Sequence, residues 1–339
     1  MKTKSRDFTM HPLFLPLLVL AVLIIYNAIF VPGFFKFQMI DGVLHGRIID
    51  IINRSSALII VAIGMTFVIG TGGIDISVGS IIAITGAVAA YFIGDDVGAT
   101  KMNLGLVILI SLVVGCFCGI WNAFLIAKLK IQPWVATLIL QTAGRGIAML
   151  ITQGQILTVY YKPFSYIGNF IPGFPLPTTV LIAIIFIILV FLIMKKTSVG
   201  MFIQAVGVNP RAAYLSGIKV TSVLFIVYIF SGLCSGVGGL IEASMISAAD
   251  SNNAGLGFEA NAILSVALGG TLLSGGKFNL VGSIIGAITI QTLTTTMYAR
   301  GVSSIQLPII QGLMILFICL FQSERFRNMI YKSKTIRSN

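Results

Sequence analysis

The stretch LGLVILISLVVGCFCGIWNAFLIA, Leu104 to Ala127, carries no charged residue. A helix needs about 20 mainly apolar residues to cross the hydrocarbon core of a bilayer. Leu13 to Val31 and Thr178 to Met194 are also free of charge. Of 339 residues, 57% are apolar and only 9% are Asp, Glu, Lys or Arg, whereas a soluble domain has about 25% charged residues. So little charge does not cover a water-facing surface of this size. The chain therefore reads as an all-α polytopic membrane protein.

Hydropathy predicts spans at 13–31, 56–70, 79–93, 104–127, 134–153, 178–194, 221–241, 259–273, 280–298 and 305–322. That is about ten transmembrane helices. Those at 56–70, 79–93, 178–194 and 259–273 are short or marginal. The loops between are too short for a soluble module, so 1–339 reads as a single transmembrane domain. Lys2, Lys4 and Arg6 precede the first span as in a signal peptide. That segment is longer than a usual signal core and lacks a clean small-x-small site, so it reads as an uncleaved span.

The formal net charge is +12, and its placement explains it better than a nucleic-acid ligand would. With the N-terminus inside, the cytoplasmic loops and tails hold Lys2, Lys4, Arg6, Lys128, Lys130, Lys195, Lys196, Arg211, Lys219, Lys277, Arg325, Arg327, Lys332, Lys334 and Arg337. The outer loops hold only Lys36, Arg47, Arg54, Lys101, Lys162 and Arg300. Excess Lys and Arg in short loops marks the cytoplasmic side. Asp41, Asp50, Asp95, Asp96, Glu242, Asp250 and Glu259 lean outward. Both termini are then cytoplasmic. Cys116, Cys118, Cys234 and Cys319 lie in apolar runs and read as packing thiols, and no metal site is expected.

Two stretches carry more than hydropathy. In the first, Ile63-Gly64-Met65-Thr66 leads into Thr71-Gly72-Gly73-Ile74-Asp75-Ile76-Ser77-Val78-Gly79-Ser80. Glycines break the apolar run, and an acid at this place needs a partner or water. Asp75 is expected to cap the helix that begins near Ser77; gate lining and direct ligand contact are the alternatives. The same pattern, GG-x4-VGSII, starts at Gly72 and again at Gly275, which suggests an internal duplication. Gly115 and Gly119, Gly232 and Gly236, and Gly282 and Gly286 are spaced for close helix packing. The second stretch is the loop 198–219. Asn209-Pro210 reads as a helix start and Gly217 as its end, giving a short helix on the cytoplasmic face.

These residues resemble the permeases of the ribose/galactose/xylose class of bacterial ABC importers. The resemblance rests on GGIDISVGS at 72–80, AVGVNPRAAYLSGI at 205–218 and GGTLLSGG at 269–276, and it spans about 45–325. Further features are similar to the galactofuranose/galactose-type permease: Asp41-Gly42, Ile49 to Arg54, Lys130 to Pro133, Ala136 to Leu140, Ala143 to Gly146, Gly154 to Ile156, and Ala249 to Gly255. Ile76 stands where members commonly have Leu.

The resemblance implies a permease subunit in the inner membrane, with a separate ATP-binding chain and an external sugar-binding protein. ATP and Mg2+ would sit on the ATPase partner and no cofactor on this chain. A second permease chain is implied, in a heterodimer with a homodimer as the alternative. Gly207, Asn209, Pro210, Arg211, Ala212, Ala213, Ser216 and Gly217 then form the ATPase-coupling segment, with Arg211 available to an acidic rim. Gly72, Gly73, Asp75, Ser77 and Gly79 form the gate or path region. Trp121 and Asn122 offer a stacking face and a hydrogen bond, while Gln141, Thr142, Arg145 and Gln153 are further polar residues of the spans. Glu242, Asp250, Asn252 and Asn253 are expected on an outer loop that docks the binding protein.

The alternative is a gradient-driven sugar transporter, for which Asp75 would be the one acid near the middle of a membrane-embedded region and Glu242 the next. A channel lacks a filter motif here, and neither His11 nor His45 belongs to a catalytic constellation. Gly275-Gly276-Lys277-Phe278 does not complete a phosphate-binding loop, because Thr271 and Phe278 occupy its first Gly and Ser/Thr positions. The chain is not expected to be an enzyme by itself.

Overall fold

The structure is a computed structural model that describes residues 13–40, 42–94, 100–303 and 305–322. Lys2, Lys4, Arg6, Asp41, Asp95, Asp96 and the basic tail from Arg325 to Arg337 lie outside the described residues, as does the side chain of Cys319.

Helix α1 (Phe14–Phe30) is followed by a small hairpin of β1 (Gln38–Ile40) and β2 (Val43–His45). Helix α2 (Arg47–Gly70) and helix α3 (Val78–Ile93) flank the glycine break. Then come α4 (Leu104–Ala123), a π-helical turn (Phe124–Lys128), α5 (Pro133–Thr152), β3 (Leu157–Thr158), α6 (Lys162–Gly168) and α7 (Thr178–Lys196). The second half holds α8 (Val199–Val208), α9 (Pro210–Leu215), α10 (Val220–Ile246), β4 (Ala248–Ala249), α11 (Phe258–Leu268), α12 (Leu280–Ala299) and α13 (Leu307–Gln322). Six of these are long and apolar enough to cross a membrane. Each of the ten expected spans coincides with a helix.

The differences have local causes. Helix α2 is 24 residues long and begins nine residues before the span expected at 56–70. Arg47, Asp50 and Arg54, taken as loop residues, lie on its first turns, where charge hid a continuing helix. Helix α11 ends at Leu268, five residues short of the expected span, because Gly269 and Gly270 follow; Gly270 has φ +86°. The loop 198–219 holds two helices, α8 and α9, rather than one.

Helix α10 is the central post, packed against α2, α3, α4 and α6. Its crossing with α4 is a backbone contact, because a Cβ on Gly119 would stand 2.4 Å from the carbonyl oxygen of Tyr228. The expected small-residue packing is therefore the reason these helices meet. By contrast, α7 presents Ile185 (64% exposed), Ile188 and Leu192 outward, an apolar surface left uncovered among the described residues. Cys118 and Cys234 are buried, Cys116 is half-buried, and all three are free thiols.

Alternating direction puts the loops at 71–77, 128–132, 197–219 and 269–279 at one end of the bundle. The loops at 153–177 and 247–257 sit at the other. Short α3 and short α11 leave room at mid-depth, and the segment 250–257 runs inward to fill it. Ser251 Oγ donates to Ala148 O of α5 at 3.1 Å. Arg145 Nη1 donates to Ser251 O and Ala254 O at 3.0 and 2.6 Å. Gly255 then packs on the first turn of α3 at Gly79, where a Cβ would lie 2.5 Å from Gly255 O.

Candidate functional site

The break between α2 and α3 is a buried polar node. Asp75 is 1% exposed. The backbone N–H and the hydroxyl of Ser77 donate to its Oδ1 at 3.0 and 2.6 Å. The expected helix-start bond is therefore formed. The other carboxylate oxygen accepts from the Ser231 hydroxyl of α10 at 2.7 Å. Asn122 of α4 donates from Nδ2 to Ser77 Oγ at 2.8 Å. Helix α5 contributes Thr137, whose Oγ1 accepts from Ile76 N at 3.1 Å, and Gln141, whose Oε1 accepts from Ser80 N at 3.1 Å. Three helices distant in sequence thus hold one short unwound segment. A buried carboxylate left without such donors would cost several kcal/mol.

Two buried atoms at the node have no hydrogen-bond partner: Asn122 Oδ1 and the Tyr228 hydroxyl. A Cβ on Gly73 would stand 2.4 Å from that hydroxyl, so Tyr228 sits directly on the break. A phenol both donates and accepts, and an amide oxygen accepts. A ligand rich in hydroxyls matches such a set. Tyr228 and Ser231 were missed by sequence reasoning. Ser231 reaches Asp75, and Tyr228 reaches Gly73, across more than 150 positions, and an isolated Tyr and Ser in an apolar helix give no cue to where they will pack.

The other sequence-selected residues divide. Asn122 and Gln141 join the node. Trp121 does not: it is 45% exposed, because successive helical residues point about 100° apart, and burial of Asn122 turns Trp121 outward. The expected stacking face beside Asn122 is thereby corrected. Thr142 and Gln153 are exposed. Arg145 is committed to the carbonyls of the 250–257 segment, with Nη2 buried and unpartnered. Gly72 and Gly73 form the turn that leaves α2. Glu242 is half-buried within α10, not on the outer loop; the helix continues to Ile246 where the apolar run was taken to stop. Asp250 accepts from Asn252 N, Asn253 N and Asn253 Nδ2 at 3.1, 3.3 and 2.7 Å, forming a compact turn in which both Asn residues are exposed.

The surface helix α9 is built as the sequence foretold. Asn209 Oδ1 accepts from Arg211 N and Ala212 N at 3.0 and 3.1 Å, Pro210 occupies the first turn, and Gly217 (φ +86°) ends it after Ser216. Of its residues Ala213 is buried, and Tyr214 and Leu215 are 71% and 85% exposed. Beside it opens a cleft of about 750 Å³ lined by Lys128, Lys130, Arg211, Tyr214, Leu215 and Lys219. Among the described residues that line it, the charged ones are all basic.

A family model described as branched-chain amino acid transport system / permease component matches residues 47–319. The chain is 43% identical to the galactofuranose transporter permease protein YtfT of Escherichia coli (strain K12), over 99% of this chain and 96% of the relative. It is 38% identical to the fructose import permease protein FruF of Bifidobacterium longum, over 88% of this chain and 83% of the relative. It is 36% identical to the ribose import permease protein RbsC of Escherichia coli (strain K12), over 91% of this chain and 93% of the relative. No solved structure matches the chain.

Proposed function

The chain belongs to the family of branched-chain amino acid transport system permease components, and from that premise we propose that it is the membrane-spanning permease of an ATP-driven importer of a monosaccharide of the galactofuranose/galactose type. The observation that carries the sugar class is near full-length similarity to the galactofuranose permease, with fructose and ribose permeases next. The chain is not itself an enzyme in this reading. A separate ATP-binding chain holds ATP and Mg2+, a second permease chain completes the path, and an external binding protein delivers the sugar. The protein sits in the inner membrane with both termini cytoplasmic.

The residues fit these roles. The α9 segment, from Asn209 through Pro210, Arg211, Ala212, Ala213 and Ser216 to Gly217, seats in the ATPase, and Gly207 near the end of α8 supports it from behind. Its capped, six-residue helix is rigid, exposes apolar side chains and lies against a cationic cleft that suits an acidic rim. The break residues Gly72, Gly73, Asp75, Ser77 and Gly79, with Asn122, Gln141, Tyr228 and Ser231, form the gate. In the closed arrangement most of their polar atoms satisfy one another while Asn122 Oδ1 and the Tyr228 hydroxyl stay unpaired, and on opening the set becomes available to sugar hydroxyls. Asp250, Asn252 and Asn253 offer exposed amides to the binding protein, with Arg145 holding the same segment against α5.

The test is a pull-down through the C-terminal tail in mild detergent from the native host. The natural chain is expected to recover a P-loop ATPase and a second permease. A chain carrying Arg211→Glu with Gly217→Pro is expected to lose the ATPase. A monodisperse natural chain that recovers no ATPase would move the assignment to a gradient-driven transporter.

A further inference from the structure

The repeated GG-x4-VGSII pattern has a physical counterpart, because its two copies touch. Gly276 N of the second copy donates to Gly70 O, two residues before Gly72 of the first, at 3.0 Å. A Cβ on Gly275 would stand 2.7 Å from Gly72 N. A third backbone enters the same place. A Cβ on Gly207, near the end of α8, would stand 1.9 Å from Gly70 O and 2.5 Å from Gly276 N. No side chain fits there without separating all three.

The surroundings make the contact stiff. Phe278 lies edge-on to Phe67 at 5.5 Å between ring centroids. A Cβ on Gly70 would meet Ile203 and Phe278 at 2.9 and 3.0 Å. Packed interiors of this density transmit strain instead of absorbing it. Gly207 lies two residues before Asn209, the cap of α9, and Gly70 lies five before Asp75. The junction therefore joins the surface helix to both breaks at once.

We propose that this three-backbone junction is the transmission element of the permease, with Gly207 as its positioning residue. Displacement of α9 moves the α2–α3 break and the α11–α12 loop together. The proposal rests on the permease reading above. It assigns a transport role to the repeated motif and to Gly207, distinct from ATPase seating, which belongs to the exposed residues of α9.

The experiment uses the full complex with its ATPase and binding protein in lipid vesicles. It measures labelled galactose taken up and ATP hydrolysed, together with ATPase retention in a pull-down. Gly207→Ala is expected to keep the ATPase and its hydrolysis while moving at least about tenfold fewer sugars per ATP, because the inserted methyl breaks the stiff contact but leaves the α9 cap intact. Gly146→Ala, at a helical glycine with nothing within 4 Å of the added Cβ, is expected to keep the natural ratio. If Gly207→Ala does not fold, Phe278→Ala decides, since it loosens the junction without inserting an atom. Its uncoupling supports the proposal, and a natural ratio overturns it. A natural sugar-to-ATP ratio in folded Gly207→Ala overturns the junction alone, as does loss of ATPase binding, which would place Gly207 in docking. A natural chain that never binds an ATPase overturns the permease reading and the junction together.

Discussion

The two copies of GG-x4-VGSII share a backbone plan and differ in what fills it. In the first, Asp75 holds Ser77, the residue just before α3, and the segment is bonded to α4 through Asn122, to α5 through Thr137 and Gln141, and to α10 through Ser231. In the second, the cap is the neutral Asn279, whose Oδ1 accepts from Gly282 N at 3.1 Å and whose Nδ2 donates to Gly269 O at 3.3 Å in its own loop. Two bonds join that copy to another helix, both to α2: Thr66 Oγ1 donates to Ser283 Oγ at 2.9 Å, and Gly276 N donates to Gly70 O at 3.0 Å. The first copy is a hub of several helices, and the second is a hinge whose hydrogen bonds beyond its own loop go to α2 alone. A buried carboxyl group explains the asymmetry: it must collect hydrogen-bond partners from wherever they are, so the helices around it become dependent on one geometry.

The largest expected effect follows directly. Asp75→Ala removes the acceptor of Ser77 N, Ser77 Oγ and Ser231 Oγ and leaves buried donors unpaired. It is expected to destabilise the protein by about 3 kcal/mol, since bonds to a charged group contribute about 1.5–3 kcal/mol each and the lost burial penalty offsets part of the total. Sugar uptake in vesicles should fall to background. Asp75→Asn, which keeps an acceptor oxygen, should recover part of both. Thermal unfolding in detergent reads the first quantity. Equal midpoints for Asp75→Ala and Asn279→Ala would erase the contrast between hub and hinge.

Next comes Arg145→Met, which tests a dependency that only the first copy has. Its guanidinium holds Ser251 O and Ala254 O, and through Gly255 it keeps the inward-running segment on Gly79. The loss should be about 2–3 kcal/mol, local to that segment. Faster amide hydrogen exchange over 250–257, with 269–279 unchanged, is the expected pattern. Uniform acceleration across both would show that the segment does not belong to the first copy alone. Ser231→Ala should follow at about 1–2 kcal/mol, because one carboxylate oxygen loses its donor while Ser77 still serves the other. Its uptake should fall less than that of Asp75→Ala.

Much of this architecture was legible in the sequence because lipid imposes a simple rule. Spans announce themselves by apolar length, and α9 by Asn209, Pro210 and Gly217, whose roles are local. Even the Asp75–Ser77 bond spans two residues and was readable. What escaped was long-range or inverted in sign. Arg47, Asp50 and Arg54 disguised the start of α2, since charge at a span's end does not stop a helix. Tyr228 and Ser231 meet the break only after folding. Trp121 looked like a partner of Asn122 by adjacency, yet adjacency on a helix separates two side chains. The repeated motif was visible, but that its copies touch, with Gly207 between them, depends on how α8 folds back.

The smallest effect is expected from Asn279→Ala, and it sharpens the comparison most. The substitution removes a side-chain cap from α12, which costs about 1 kcal/mol when the helix has other support. Helix α12 has such support from α2 and α11 along its length. The Ser283 hydroxyl still donates to the residue 279 backbone oxygen, a bond the substitution does not touch. Unfolding should shift by about that amount, and uptake should remain within about twofold of the natural chain. Only a loss of uptake comparable to that of Asp75→Ala would make the second copy a gate in its own right. The two breaks would then be equal partners, and the carboxyl group in the first would be a detail of its local bonding. A small effect would instead mean that duplication supplied two similar turns and a single carboxylate made one of them the place where the helices are held together.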